Sequence, residues 1–365
     1  MEETIMKKLL SLVLASALVL SLTACGGGSS TASTTAAATT AAATEAATEA
    51  PAETEAAAEA PAESYEPITL NVAYMPNYGS LWAITTAQNL GILEKYGISV
   101  NLYEFDNGPN IIAAMESGSI DIGYIGHGAH KLCIQGKAKI FALSHISNGD
   151  AVIGGEGITK LEDLKGKTVA YTGGSSSEDI LVNALNKAGL TMNDITPMDM
   201  DSANIVTAYL SGSVDACAIW SPLSLKILEQ DPKATRLCGN VDFSDTSISL
   251  ASWIAMNDYA EKNYDVLLRF TKALYEAMDY AADGHFEEVA EYVANQTKTD
   301  YQSVFDQRGD AEWLTGKQVA EGAADGTVEG YYNIQQQSFL ASGAIEKEVP
   351  VSDYVMLDLM VEAGK

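Results

Sequence analysis

The chain has 365 residues, 47% of them hydrophobic, which is enough for two packed lobes rather than one small domain. Its formal net charge is −28, and from Pro67 onward 40 acidic residues still stand against 19 basic ones. A body this acidic repels nucleic acid and anionic lipid surfaces, so no nucleic-acid partner is expected. Four cysteines, Cys25, Cys133, Cys217 and Cys238, form no CxxC and no metal-type spacing. With Cys25 set aside, at most one disulfide is possible, and Cys133 and Cys217 sit in apolar contexts that suit small core residues.

Met6, Lys7 and Lys8 open a charged segment, and 9–20 is an apolar run too short for a permanent membrane span. It ends in Leu22-Thr23-Ala24-Cys25, which matches the lipobox of bacterial lipoproteins. That match implies that 1–24 is a signal peptide, that Cys25 is lipidated, and that the protein is extracytoplasmic and anchored to the cell membrane. Residues 26–64 contain no Leu, Ile, Val, Met, Phe, Tyr or Trp, so they cannot offset the entropy of ordering. The segment 25–66 is expected to be the lipidated cysteine followed by a disordered Ala/Thr/Glu tether, roughly 35 Å root-mean-square for a flexible coil.

From Ile68 the pattern changes. Ile68–Tyr74 alternates as a strand, 80–96 follows as a helix stopped by Gly97, and 98–105 is the next strand. A helix over 110–117, a strand over 120–125, a helix from 129 and a strand over 139–146 continue the alternation. At this βαβ spacing a mostly parallel sheet flanked by helices is predicted. The pattern then restarts: extended 151–154, strand 168–171, helix 178–188, strand 195–200, helix 203–210 and strand 214–219. An extended 247–256 leads to a long helix over 258–282 and a mainly helical tail. Two α/β lobes joined by two extended crossings explain this order, with lobe one at 67–150, lobe two at 151–256, and 257–365 supplying a hinge helix and a return to lobe one. Gly118 and Gly212 fit left-handed helix caps, and Asp121 and Asp215 are expected to brace the turns that follow them.

Four segments carry a resemblance: WAITTAQNLGILEKYGISV from Trp82, AMESGSIDIGY from Ala114, LEDLKGKTV from Leu161 and YLSGSVDACAIWSP from Tyr209. Each is weak alone, but in this order behind a lipobox the chain resembles the solute-binding proteins of nitrate, sulfonate, taurine and thiamine-precursor ABC importers. The resemblance covers about 68–365. It implies a type II periplasmic-binding fold, in which two lobes close on a small molecule and present it to a permease driven by a cytoplasmic ATPase. It also implies a monomer with no catalytic set and no cofactor. His130 stands where many relatives carry proline.

A ligand in such a fold lies outside the carboxyl ends of the strands, between the lobes. Four loops are expected there: Asn77, Tyr78 and Gly79 with Trp82 just inside the helix; Gly126 and His127; Gly174, Ser175, Ser176 and Ser177; and Asp201 with Trp220. The serine loop opens a helix, so its N–H groups, hydroxyls and helix dipole offer an anion site without Lys or Arg; simple N-capping by one serine is the other reading. The near absence of Lys and Arg in these loops suits a sulfonate, taurine or nitrate-type ligand held by amides and hydroxyls, with Asp201 available to an amine. A pyrimidine stacked on Tyr78, Trp82 or Trp220 is the alternative. Trp220→Ala and Asp201→Ala are both expected to weaken binding. A metal site on His127 and His130 lacks further ligands, and a serine hydrolase on Ser175 would have only His127 as base; neither has positive support.

Overall fold

The computed structural model describes residues 65–365; the expected leader, the lipidation site Cys25 and the Ala/Thr/Glu run up to residue 64 lie outside the described residues. The chain enters on Ile68–Tyr74 (β1), which pairs in parallel with Ile98–Glu104 (β2) from Ile68↔Ile98 to Tyr74↔Glu104. Ile122–Ile125 (β3) lies parallel on the other side of β1. Ala138–Ser147 (β4) follows, and the chain crosses at 148–149 into a second sheet. That sheet holds Asp150–Gly154 (β5), Thr168–Tyr171 (β6), Thr196–Asp199 (β7), Ala216–Trp220 (β8) and Thr235–Gly239 (β9). The chain returns over 240–249 to Leu250–Met256 (β10) in the first sheet, and Ala311–Trp313 (β11) is added late at its edge.

The two sheets repeat one plan. The first runs β11-β4-β10-β3-β1-β2 and the second β7-β6-β8-β5-β9. In each, three neighbouring strands are parallel and the fourth is reversed: β10 against β3 and β4, and β5 against β8 and β9. β10 and β5 both arrive from the opposite sheet, while β11, also reversed, is added at the edge of β4. A strand entering directly from the other lobe starts at the carboxyl edge of its new sheet, so it must run against its neighbours. Both sheets are therefore mixed, with most strands of each running in one direction. β10 belongs to the first sheet, so the expected second lobe at 151–256 extends too far; the return crossing is 240–249.

Local signals explain most elements. The expected helix 80–96 is instead Tyr78–Asn89 followed by Ile92–Lys95, because Gly91 at φ 70° takes a left-handed turn that ends the first helix. The expected helix 258–282 is divided at Asn263 into Asn257–Lys262 and Tyr264–Tyr280. Gly118 and Gly212 both have left-handed backbones, at φ 77° and 72°. Behind them Asp121 Oδ2 accepts the Asn71 N–H at 2.8 Å, and Asp215 Oδ2 accepts the Thr168 N–H at 2.8 Å, so each acid ties its turn to the neighbouring strand.

The second sheet is buried on both faces. Ala151, Ile153, Cys217 and Ile219 face the helices Ser202–Leu210 and Leu223–Gln230, while Val152, Ala216 and Ala218 face Ser176–Lys187, as the two-residue period of a strand requires. The first lobe holds the largest buried side chains, among them Trp82, Trp253 and Tyr332, and the C-terminal helices complete its core. Cys133, Cys217 and Cys238 are free and buried. Burial pushes the Cys133 thiol up to about 12, so it behaves as a small apolar side chain.

Candidate functional site

Because the parallel strands of both sheets end toward the crossings, their carboxyl ends bound a shared cleft of about 690 Å³, part of it open to solvent. From the first lobe come Asn77 and Gly79 after β1, Gly126 and His127 after β3, and His145 on β4. From the second come Ser175 and Ser176 at a helix start, and Trp220 and Ser221 at the end of β8. Asp150 lines the cleft where the first crossing enters β5, and Ser249 where the second reaches β10. Gln307, Asp310 and Trp313 are delivered by the β11 segment.

Packing fixes these groups. Asn77 caps the helix Tyr78–Asn89, its side chain accepting the Ser80 N–H at 2.9 Å. A Cβ on Gly79 would stand 2.8 Å from His145 Cε1, so only glycine lets the imidazole lie against this turn. Trp313 packs on His145 at 4.8 Å between ring centres, and on Tyr78 and Trp82 at 5.0 and 5.1 Å. Tyr124 adds a second aromatic wall and stacks on His145 at 6.2 Å.

The electrostatics are one-sided. Among the described residues no Lys or Arg lines the cleft, whereas Asp150 and Asp310 do. Burial pushes His127 and His145 down to about 3, so both are neutral at pH 7; nearby His130 and Lys131 depress His127 further and the Ile248 backbone partly opposes them. Burial raises Asp150, against hydrogen bonds from Ser176 at 2.6 Å, Asn240 at 2.8 Å and Ser249 at 3.4 Å. Burial likewise raises Asp310, with Ser221 and Arg236 pulling it back and Asp150 adding to the rise.

Of the residues expected at the site, Asn77, Gly79, Gly126, His127, Ser175, Ser176 and Trp220 line the cleft, and Tyr78, Trp82, Gly174, Ser177 and Asp201 do not. Tyr78 and Trp82 are one helical turn apart on a helix buried nearly all round, so both enter the core; the Trp82 Nε1–H donates to Ser144 Oγ at 3.1 Å. Asp201 is exposed beyond β7, the edge strand farthest from the crossings. Trp220→Ala is therefore expected to weaken ligand binding about tenfold or more. Asp201→Ala should leave it unchanged, against the reading from sequence. Isothermal titration of both variants checks this, and loss of binding in Asp201→Ala would relocate the site.

The serine loop is largely engaged by the protein itself. Ser175 donates to the Thr172 carbonyl at 2.7 Å and accepts the Ser177 N–H at 3.2 Å. Ser176 donates to Asp150, and Ser177 donates to the Ala218 carbonyl at 2.7 Å. The Gly174 N–H is taken by Glu178 at 2.8 Å. The loop thus behaves first as an N-cap and a brace for Asp150. Ser175 makes no hydrogen bond to His127, so the geometry of an activated nucleophile is missing among the described residues. His127 and His130 do not converge on one point either. Gln335 stands between them, donating to His127 Nδ1 at 2.8 Å and accepting from His130 Nδ1 at 3.0 Å.

One further cluster joins the lobes. Lys131 Nζ lies 3.4 Å from Glu178 Oε2 and 3.8 Å from Asp179 Oδ1, and His127 Nε2 lies 4.0 Å from Asp179 Oδ2. Burial, more than the neighbouring acids Glu178 and Asp150, pushes Asp179 up to about 7 against the pull of Lys131.

Sequence reasoning missed His145, Asp150, Ser221, Gln307, Asp310 and Trp313. Of the last three, Gln307 and Asp310 lie on the short helical turn Gln307–Asp310 and Trp313 on the three-residue strand that follows it, inside a helical tail. The only warning in the sequence is Gly309-Asp310 interrupting that tail ahead of Trp313.

Two mixed α/β lobes meeting at a cleft, with two crossings between them, make the periplasmic-binding-protein fold. The profile of the NMT1/THI5-like family matches residues 80–285, and the chain belongs to this family. A putative binding protein of Brucella abortus (strain 2308) is 31% identical over 291 residues, 80% of this chain and 91% of that protein. The taurine-binding periplasmic protein of Escherichia coli (strain K12) is 27% identical over 261 residues, 70% of this chain and 76% of its own length. Among solved structures, the alkanesulfonate-binding protein SsuA from Xanthomonas axonopodis pv. citri, bound to MOPS, superposes with a TM-score of 0.61 at 21% identity, over 80% of this chain and 99% of that one.

Proposed function

We propose that this chain is the extracytoplasmic solute-binding component of an ABC importer. It captures a small ligand of the sulfonate, taurine or nitrate type between its lobes and delivers it to a permease driven by a cytoplasmic ATPase. The observation that carries this reading is the cleft itself: the carboxyl ends of two sheets face it, and the chain passes from one sheet to the other at the crossings 148–149 and 240–249. Such a connection lets the lobes hinge, and a ligand favours the closed state only through its better contacts there. The chain is read as a binding protein rather than an enzyme, in keeping with its relatives named as taurine- and aliphatic-sulfonate-binding proteins. It works as a monomer, and the lipobox supports anchoring through lipidated Cys25.

The names of the relatives favour an organic sulfonate or an aminosulfonate. The aromatic walls Tyr124, Trp220 and Trp313 favour a second reading, a small heteroaromatic such as a pyrimidine. A thermal-shift panel of taurine, ethanesulfonate, nitrate and hydroxymethylpyrimidine separates these. A ligand at 100 times its dissociation constant adds about 2.7 kcal/mol of stability, a plain shift in Tm. A taurine or ethanesulfonate shift is expected, a pyrimidine shift alone would transfer the assignment to the second reading, and a flat response would remove the substrate class.

A further inference from the structure

We propose that the ligand of this cleft carries a protonated nitrogen, and that Asp310 and Ser221, with Asp150 beside them, form the subsite that receives it. This rests on the solute-binding reading and narrows it to a chemical class, an organic ammonium or a protonated nitrogen heterocycle.

The argument begins with groups left unsatisfied. Asp310 Oδ2 is inaccessible to solvent and has no hydrogen-bond partner among the described residues. Ser221 is 8% exposed, lines the same cleft, and its Oγ makes no hydrogen bond of normal geometry among the described residues, although it lies near enough to Asp310 to draw that carboxyl downward. A buried acceptor without a donor is destabilising, and such pairs persist where a ligand completes them. The two belong to one spot: a Cβ placed on Gly149 would stand 3.4 Å from both the Asp310 and the Ser221 Cβ atoms. Asp310 is held there by its backbone, whose carbonyl accepts the Asn148 N–H at 2.6 Å.

Charge points the same way. Two carboxylates line the cleft, and among the described residues no cationic side chain does. Lys131 is engaged by Glu178 and Asp179, and Arg236 is exposed and turns its guanidinium to the Asp150 backbone carbonyl at 3.2 Å; neither lines the cleft. Asp150 has its oxygens occupied by Ser176, Asn240 and Ser249, so it contributes field rather than a free acceptor. Asp310 has the free acceptor. A bare anion entering this cleft meets two acidic side chains and no cationic one, whereas an ammonium meets a carboxyl group, a hydroxyl and the aromatic residues Trp220 and Trp313.

The test uses two probe pairs that differ in the ammonium: taurine with ethanesulfonate, and 3-aminomethylpyridine with 3-hydroxymethylpyridine. Each is titrated into the full chain and into Asp310→Asn. In at least one pair the amine is expected to bind tenfold or more tighter than its partner, and Asp310→Asn is expected to erase that preference; the responding pair tells an aminosulfonate from a heteroaromatic amine. Without ligand, Asp310→Asn should melt at or above the wild-type temperature, because it removes an unpaired acid. A lower Tm would mean that the carboxylate is paired within the protein, and would overturn the subsite whatever the probes do. Binding without preference for the amine in either pair would overturn it and leave the receptor reading intact. Silence from all four probes in the wild type would overturn the ligand class.

Discussion

Gly128→Val should abolish lobe closure while leaving each lobe folded. Gly128 sits in the turn His127–Ala129, where the first lobe meets the helix start of the second. A Cβ at this position would stand 2.6 Å from Asp179 Oδ2, and it would come closer still to the Ser175 carbonyl carbon and oxygen. The obstruction is backbone, which cannot rotate aside. None of the nearest atoms belongs to the first lobe, so the lobes can accommodate the new side chain only by moving apart. Overpacking a tight contact costs about 1–3 kcal/mol, and every 1.4 kcal/mol is tenfold in affinity. Ligand affinity is therefore expected to fall about ten- to a hundredfold, with no loss of secondary structure by circular dichroism. Isothermal titration measures the first quantity, and small-angle scattering of the liganded protein measures whether it still contracts. Wild-type affinity with a normal contraction would show that the lobes do not close on this contact. The same closure brings Lys131 and His127 against Glu178 and Asp179, so the valine also separates that interlobe cluster.

The parts of this architecture that were legible in the sequence are those set by local chemistry. β1, β2 and β6 follow from strand-like runs between turn residues. The paired Gly118–Asp121 and Gly212–Asp215 turns follow from glycine's left-handed backbone and aspartate's affinity for nearby N–H groups. What was not legible depends on where strands go after they form. That β5 and β10 are reversed follows only from their crossing between sheets, and the crossing is what puts Asp150 and Ser249 on the cleft. β11 has too few residues to show a period, yet it carries Trp313 and lies next to Asp310. Helical phase turned Tyr78 and Trp82 into the core, although their place after β1 suggested the cleft. The serine loop was recognised as a helix start, but the acceptors that engage its hydroxyls, Thr172, Ala218 and Asp150, come from other segments.

The second large effect is expected in acid, at His130. The imidazole is fully buried against Tyr332, its Nδ1–H donates to Gln335, and its Nε2 has no partner among the described residues. Burial pushes it down to about 4, with the Gln335 bond opposing the shift. In the unfolded chain it titrates near 6.5. Between these values the unfolded state binds one proton more than the folded state, so stability falls as pH falls, by up to about 1.4 kcal/mol per pH unit. Above pH 7.5 the group is neutral in both states and contributes no slope. Below about pH 4 it is protonated in both, and the slope ends. His130→Asn keeps an amide N–H near the position of Nδ1 and cannot titrate. The substitution has a fixed cost in packing, but its stability relative to wild type should improve by about 2 kcal/mol between pH 7.5 and pH 5. Asp179, His127 and His145 also titrate abnormally in this region; their contributions are common to both proteins and largely cancel in the difference. His127 is the closest to an exception, since it shares Gln335, and a retained bond from Gln335 to its Nδ1 would keep it neutral in the variant too. Denaturant unfolding of both proteins at half-unit pH steps checks the prediction. Curves of stability against pH that stay parallel over this range would show that His130 takes up its proton without unfolding.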